Sequence, residues 1–64
     1  MELATRERLL DIATNLFAKH GYNAVSVRMV TQKAKINVSA ISYHFKGKDG
    51  LYQAVLEHQL KLIL

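Results

Sequence analysis

Three residues, Lys35, Ile36 and Asn37, separate two stretches that read as helices, and this short link constrains the fold more than any other feature of the chain. Ser26 and Asn37 each offer a side-chain acceptor for the orphan N–H groups of a helix start. Each is followed by about two turns of alternating apolar and polar residues. Helices joined so tightly cross steeply and touch, so the residue at the crossing has to be small; Ala34 stands there. The first of the pair is expected to turn Val27, Val30 and Ala34 inward and to leave Arg28, Thr31, Gln32 and Lys33 outside or at the rim. Ile36 points inward and Asn37 caps the next helix. Lys35 sits where a left-handed residue is needed, which costs a non-glycine residue about 1 kcal/mol, so strain or a slightly altered turn is expected. The second helix, Val38 to about His44 with Phe45 anchoring its end, places Ile41 and Phe45 four apart on an inward face. Ser39, Ser42, Tyr43 and Lys46 then face outward. The pattern is a helix-turn-helix over residues 26–45.

The flanking segments read as support. From Thr5, a plausible N-cap, to His20, apolar residues at Leu9, Ile12, Ala13, Leu16 and Phe17 form the stripe of an amphipathic helix. Gly21 ends it in the left-handed region. Tyr22 and Val25 are expected to fold back over the stripe, because such residues in a loop cover core. After Gly47, a fourth helix opens at Lys48, with Asp49 favoured by the positive end of the helix dipole and Gly50 weakening the first turn. Leu51, Ala54, Val55 and His58 continue an inward stripe. Leu60, Leu62, Ile63 and Leu64 add more apolar surface than a free end needs, so this helix is expected to be cut at Leu64 and to lead into a further domain. The fold class is therefore all-α: a homeodomain-like three-helix bundle with a helix-turn-helix and the start of a fourth, connecting helix, forming one domain over residues 3–64.

Size and composition narrow the functions. A chain of 64 residues buries only about 60% of its unfolded surface and needs stabilisation from elsewhere. The absence of cysteine excludes disulfides and thiolate metal sites and fits a reducing, cytoplasmic setting. Apolar runs are too short for a membrane span or a secretory signal. His20, His44 and His58 fall on three separate helices, with no His pair at metal-binding spacing and no glycine-rich phosphate loop. No cofactor, metal or enzymatic activity is expected. The net charge of +4 is localised: Arg28, Lys33, Lys35, Lys46 and Lys48 face only Asp49 around the turn, while the charges on either side cancel.

A basic, hydroxyl-rich helix face is what a DNA major groove accepts, small or polar near its N-terminus and flanked by groups that hold phosphates. Val38 is placed to meet a thymine methyl, and Ser39 and Ser42 to bond base edges. Serine reads ambiguously, so discrimination leans partly on DNA shape. Arg28, Tyr43, His44, Lys46 and Lys48, with the backbone N–H groups opening the second and fourth helices, are candidates for phosphate.

The segments RERLLDIATNLFAKHGY and SVRMVTQKAKINVSAISYHFKGKDGLYQAVLE, with Arg6, Ala13, Phe17, Gly21, Tyr22, Ser26, Val27, Ala34, Tyr43, His44, Phe45, Lys48 and Leu51 in register, resemble the N-terminal DNA-binding domain of the TetR family of transcriptional repressors. NVSAISYHF looks like a branch in which Asn37 replaces the usual Ser or Thr cap. The resemblance implies a homodimer on double-stranded, palindromic operator DNA, with Val38, Ser39 and Ser42 touching bases. It places Arg28, Tyr43, His44 and Lys48 on backbone or neighbouring bases, and Ser26 capping its helix beside a phosphate. It further implies a helical C-terminal domain, absent from this sequence, that dimerises and binds a small-molecule inducer. The chain departs from the family pattern at Lys35, Ser42 and Gly47, where glycine, an aromatic and a hydroxyl are usual. The competing reading is a small helical module that docks its apolar tail on a protein or a membrane surface; such a helix would carry cations beside its own apolar stripe, and the tail has only Lys61.

Overall fold

The computed structural model describes the backbone of residues 2–63 and the side chains of residues 4–61. Four helices follow one another: α1 (Glu2–His20), α2 (Val27–Ala34), α3 (Ser39–Phe45) and α4 (Lys48–Ile63). No strand occurs among the described residues. α1 packs on α2 and on α4, and α4 packs on α3. The core is therefore shared among all four helices, with α3 joined to it through α4.

The stripe of α1 is buried at Leu9, Ala13, Leu16 and Phe17, with Ile12 half-buried against the cluster. Leu10, outside the expected stripe, is buried too. A helix covered on two sides buries a wider arc than a single apolar stripe provides. α1 begins at Glu2, so Thr5 lies inside the helix and is not its N-cap. Glu2, Leu3 and Ala4 are all competent helix formers, and nothing before Thr5 stops the helix. At the other end Gly21 takes φ 83, and its N–H donates to the Phe17 carbonyl at 2.9 Å. Val25 then closes over the core and Tyr22 stacks on Phe17, at 6.0 Å between ring centroids.

Ser26 caps α2 as expected, its Oγ accepting the Met29 N–H at 3.1 Å. Val30 and Ala34 are sealed in the core, and Val27 is half-buried against it. Thr31, expected outside or at the rim, is buried. The spacing of Val27, Val30, Thr31 and Ala34 puts all four on one helical face. Thr31 satisfies its hydroxyl locally, donating to the Val27 carbonyl at 3.1 Å and the Arg28 carbonyl at 3.2 Å.

The α2–α3 turn accepts the unfavourable conformation rather than avoiding it. Lys35 sits at φ 59, ψ 45. Its N–H donates to the Gln32 carbonyl at 3.2 Å, and the Ile36 N–H reaches back to Thr31 at 3.0 Å, which closes the helix end with a left-handed C-cap. Asn37 caps α3 through Oδ1, which accepts the Ser39 N–H at 2.9 Å. α3 proper runs one residue later than expected, although Val38 already has helical angles.

Between α3 and α4 a second non-glycine residue, Lys46, is left-handed at φ 68, followed by Gly47 at φ 123. α4 contributes Leu51, Ala54 and Val55 to the core, so it is an integral member of the bundle. His58 is half-buried and Leu60 is exposed. The expected apolar excess at Leu62, Ile63 and Leu64 lies outside the described side chains. Gly50 faces the Phe45 carbonyl oxygen so closely that a Cβ would collide with it. Its presence in the first turn of α4 is thus explained by the close approach of α3.

Candidate nucleic-acid interface

α3 carries two faces of opposite chemistry. Ile41 and Phe45 are buried, 1% and 6% exposed. Opposite them Ser39, Ser42, Tyr43 and Lys46 are all exposed, Tyr43 to 70%. The i, i+3, i+4, i+7 spacing of these four gathers them on the outward face. Val38 opens the helix at 39% exposure. It leaves an apolar side chain in water beside the serines, as a contact with a base methyl requires.

The remaining candidates are distributed around that face. Arg28 is exposed on α2, and Ser26 is exposed at its cap. Lys46 projects from its left-handed position past the last turn of α3. His44 differs from the rest: it lies at the flank of the helix, half-buried, its ring 4.9 Å from Tyr43 and 6.2 Å from Phe45. It lies beside the exposed face of α3, less open to solvent than Ser42 or Tyr43.

Lys48 is half-buried at the start of α4 with its Nζ 4.2 Å from the centroid of the Tyr22 ring. The hydroxyl of that same ring donates to the Asp49 carboxylate. This hydrogen bond, together with desolvation and the carboxylate's charge, holds the Tyr22 phenol above its ordinary value of 10.0. Tyr22 is therefore a neutral donor throughout the physiological range. The ring also meets Tyr52 edge-on at 4.8 Å, so packing fixes it from behind. Sequence spacing assigned Tyr22 to packing and Asp49 to the helix dipole, and gave no sign that the two meet across 27 positions. A further contact missed from the sequence is Arg6, whose guanidinium carbon lies 5.0 Å from the centroid of Phe45 and ties α1 to the end of α3.

Charge around the turn is concentrated and little compensated. Arg28, Lys33, Lys35 and Lys46 are exposed, and among the described residues the one ion pair is Arg6–Glu7 at 3.8 Å, on α1. An apolar groove of about 230 Å³ lies between α1 and α4, lined by Thr14, Phe17, Ala18, Tyr52, Val55, Leu56 and Gln59. The cations gather elsewhere. No helix among the described residues is long and apolar enough to cross a membrane, and no cluster of metal-ligating side chains occurs among them.

Comparison with known proteins joins this geometry to a family. Residues 9–55 match the pattern of the bacterial regulatory proteins, tetR family. The chain is similar to the probable HTH-type transcriptional regulator YttP of Bacillus subtilis, 40% identical over 53 residues that make up 83% of this chain and 26% of that protein. It is 42% identical to the HTH-type transcriptional repressor Rv3405c of Mycobacterium tuberculosis over 78% of this chain and 27% of that protein. With the HTH-type transcriptional regulator SrpR of Pseudomonas putida it shares 34% identity over 91% of this chain and 29% of that protein. The chain thus spans between a quarter and a third of the length of these curated relatives.

Proposed function

The chain belongs to the tetR family of bacterial regulatory proteins, and on that premise we propose that it is the DNA-binding domain of a transcriptional repressor that lays α3 in the major groove of a palindromic operator. The observation that carries this reading is the division of α3. Its apolar residues are plugged into the bundle, and its serines, Tyr43 and Lys46 are presented to solvent. Val38, Ser39 and Ser42 read base edges; Arg28, Tyr43, His44, Lys46 and Lys48 hold phosphates, and Ser26 orders the start of α2 beside one. The domain spans residues 3–64 and works without catalysis, metal or cofactor, in the cytoplasm where operator DNA is found. Two copies bind half-sites about 34 Å apart. Dimer formation and the response to a small-molecule inducer belong to the whole regulator and are part of the same proposal.

The test is selection of bound duplexes from random DNA, followed by titration of the selected site at increasing salt. A palindromic consensus is expected, with affinity falling by several orders of magnitude between about 50 and 200 mM salt. Ser42→Ala should change the preference among duplexes more than the overall affinity. A flat salt response without enrichment of any sequence would overturn the reading.

A further inference from the structure

Lys48 and Asp49 are neighbours of opposite charge at the start of α4, yet among the described residues they form no ion pair. Both are engaged instead by Tyr22: its hydroxyl donates to Asp49 and its ring face lies 4.2 Å from the Lys48 Nζ. Tyr22 is itself seated on Phe17 and against Tyr52, so the ring is a fixed point of the bundle rather than a mobile side chain. We propose that Tyr22 is a positioning residue for DNA binding, separating the Lys48 ammonium from the Asp49 carboxylate so that the cation is held ready for a backbone phosphate.

Two physical effects combine. A lysine left to itself samples many rotamers and loses that freedom on binding; one resting on an aromatic face has lost part of it already. A carboxylate beside the phosphate site competes for the lysine, and a hydrogen bond from a neutral phenol gives it another partner. The inference rests on the assignment of Lys48 to a phosphate made above. It adds a residue that touches no DNA and acts through one that does.

The experiment compares the salt dependence of binding to the selected duplex for the full chain and its Tyr22→Phe, Lys48→Ala, Tyr22→Phe/Lys48→Ala and Tyr22→Phe/Asp49→Asn variants. Each phosphate contact contributes roughly 0.9 to the slope of log affinity against log salt. Lys48→Ala should lower the slope by that amount per copy. Tyr22→Phe keeps the ring and removes the hydroxyl; it should lower the slope in the same direction and weaken binding about threefold to tenfold. The Tyr22→Phe/Lys48→Ala pair should be no weaker than Lys48→Ala alone, and Asp49→Asn should restore the slope in the Tyr22→Phe background. A merely structural role for the hydroxyl would leave the slope unchanged and add fully to Lys48→Ala, and either result overturns the proposal. Should Tyr22→Phe fail to fold, Tyr22→Trp, which also keeps a ring without the phenol, is read by the same criteria. An unchanged slope in Lys48→Ala would instead show that Lys48 meets no phosphate, which refutes that assignment and the positioning role with it. A lowered slope there with none in Tyr22→Phe refutes the positioning role alone.

Discussion

Lys35 before α3 and Lys46 after it both adopt the left-handed conformation, at φ 59 and φ 68, but the joints around them are closed by different means. Before α3, the turn is locked from both sides. Ile36 packs on the core, its N–H bonds back to Thr31, and Asn37 caps the next helix. After α3, the Lys46 N–H donates to the Ser42 carbonyl at 3.2 Å, Gly47 follows at φ 123, and α4 packs on α3 with Gly50 against the Phe45 carbonyl. Both joints carry local backbone hydrogen bonds; the first adds a side-chain cap and the second the close approach of two helices. α3 is thus joined to α2 through a locally bonded turn and set against α4 by helix packing, while Tyr22 forms a polar latch between the α1–α2 loop and the start of α4.

The largest effect is expected where the second joint has least room. Gly50→Ala would place a methyl against the Phe45 carbonyl, and a backbone atom cannot turn aside as a flexible side chain can. Urea denaturation should show a loss of about 3 kcal/mol, enough to leave a domain of this size largely unfolded. A loss under about 0.5 kcal/mol, within the ordinary range of surface substitutions, would show that α3 and α4 separate freely.

At the first joint, Asn37→Ala removes the acceptor of the Ser39 N–H and should lower stability by about 1 kcal/mol in the same measurement. Lys35→Gly tests the strain directly. Relief of the left-handed penalty, about 1 kcal/mol, is partly offset by the greater freedom of glycine in the unfolded chain. A net gain of roughly 0.5 kcal/mol is expected from these opposing terms; a loss would mean that the lysine side chain contributes more than its backbone conformation takes away.

The smallest effect concerns the latch at alkaline pH. The Tyr22 pKa is raised in the folded chain, so the stability this contributes is fully present below the ordinary value of 10.0 and is lost as pH rises through the higher folded value. In a difference titration by ultraviolet absorbance, the phenol that disappears in Tyr22→Phe should be one that ionises above 10.0. Ionisation at or below that pH would remove the latch from the account.

Much of the bundle was legible because periodicity reports faces. Leu9, Ala13, Leu16, Val30, Ile41, Phe45 and Leu51 fall on the arcs that their spacing assigns to the core, and all are buried. Thr31 is buried against the expectation from its polarity; the helical spacing alone puts it inward, and its hydroxyl needs only the backbone of its own helix. Asn37 and Ser26 were readable as caps because capping is a local interaction. Tyr22, Asp49 and Arg6 were not readable as partners. Their contacts join elements far apart in the chain, and nothing in the local sequence encodes such a meeting. From sequence Gly50 is only a weak helix former, since the carbonyl that explains it belongs to another helix. For the candidate site, the outward residues of α3 were legible and the half-burial of His44 and Lys48 was not, because burial at a flank depends on what the next helix covers.

In the function proposed for this chain, the outward face of α3 is the surface DNA meets. Titration of the isotopically labelled chain with the selected duplex, followed by amide nuclear magnetic resonance, tests it most directly. The account predicts the largest shifts at Val38, Ser39, Ser42, Tyr43 and Lys46, with Thr14, Ala18 and Leu56 in the α1–α4 groove unmoved. Shifts confined to that groove, with the amides of Ser39 and Ser42 unchanged, would contradict it.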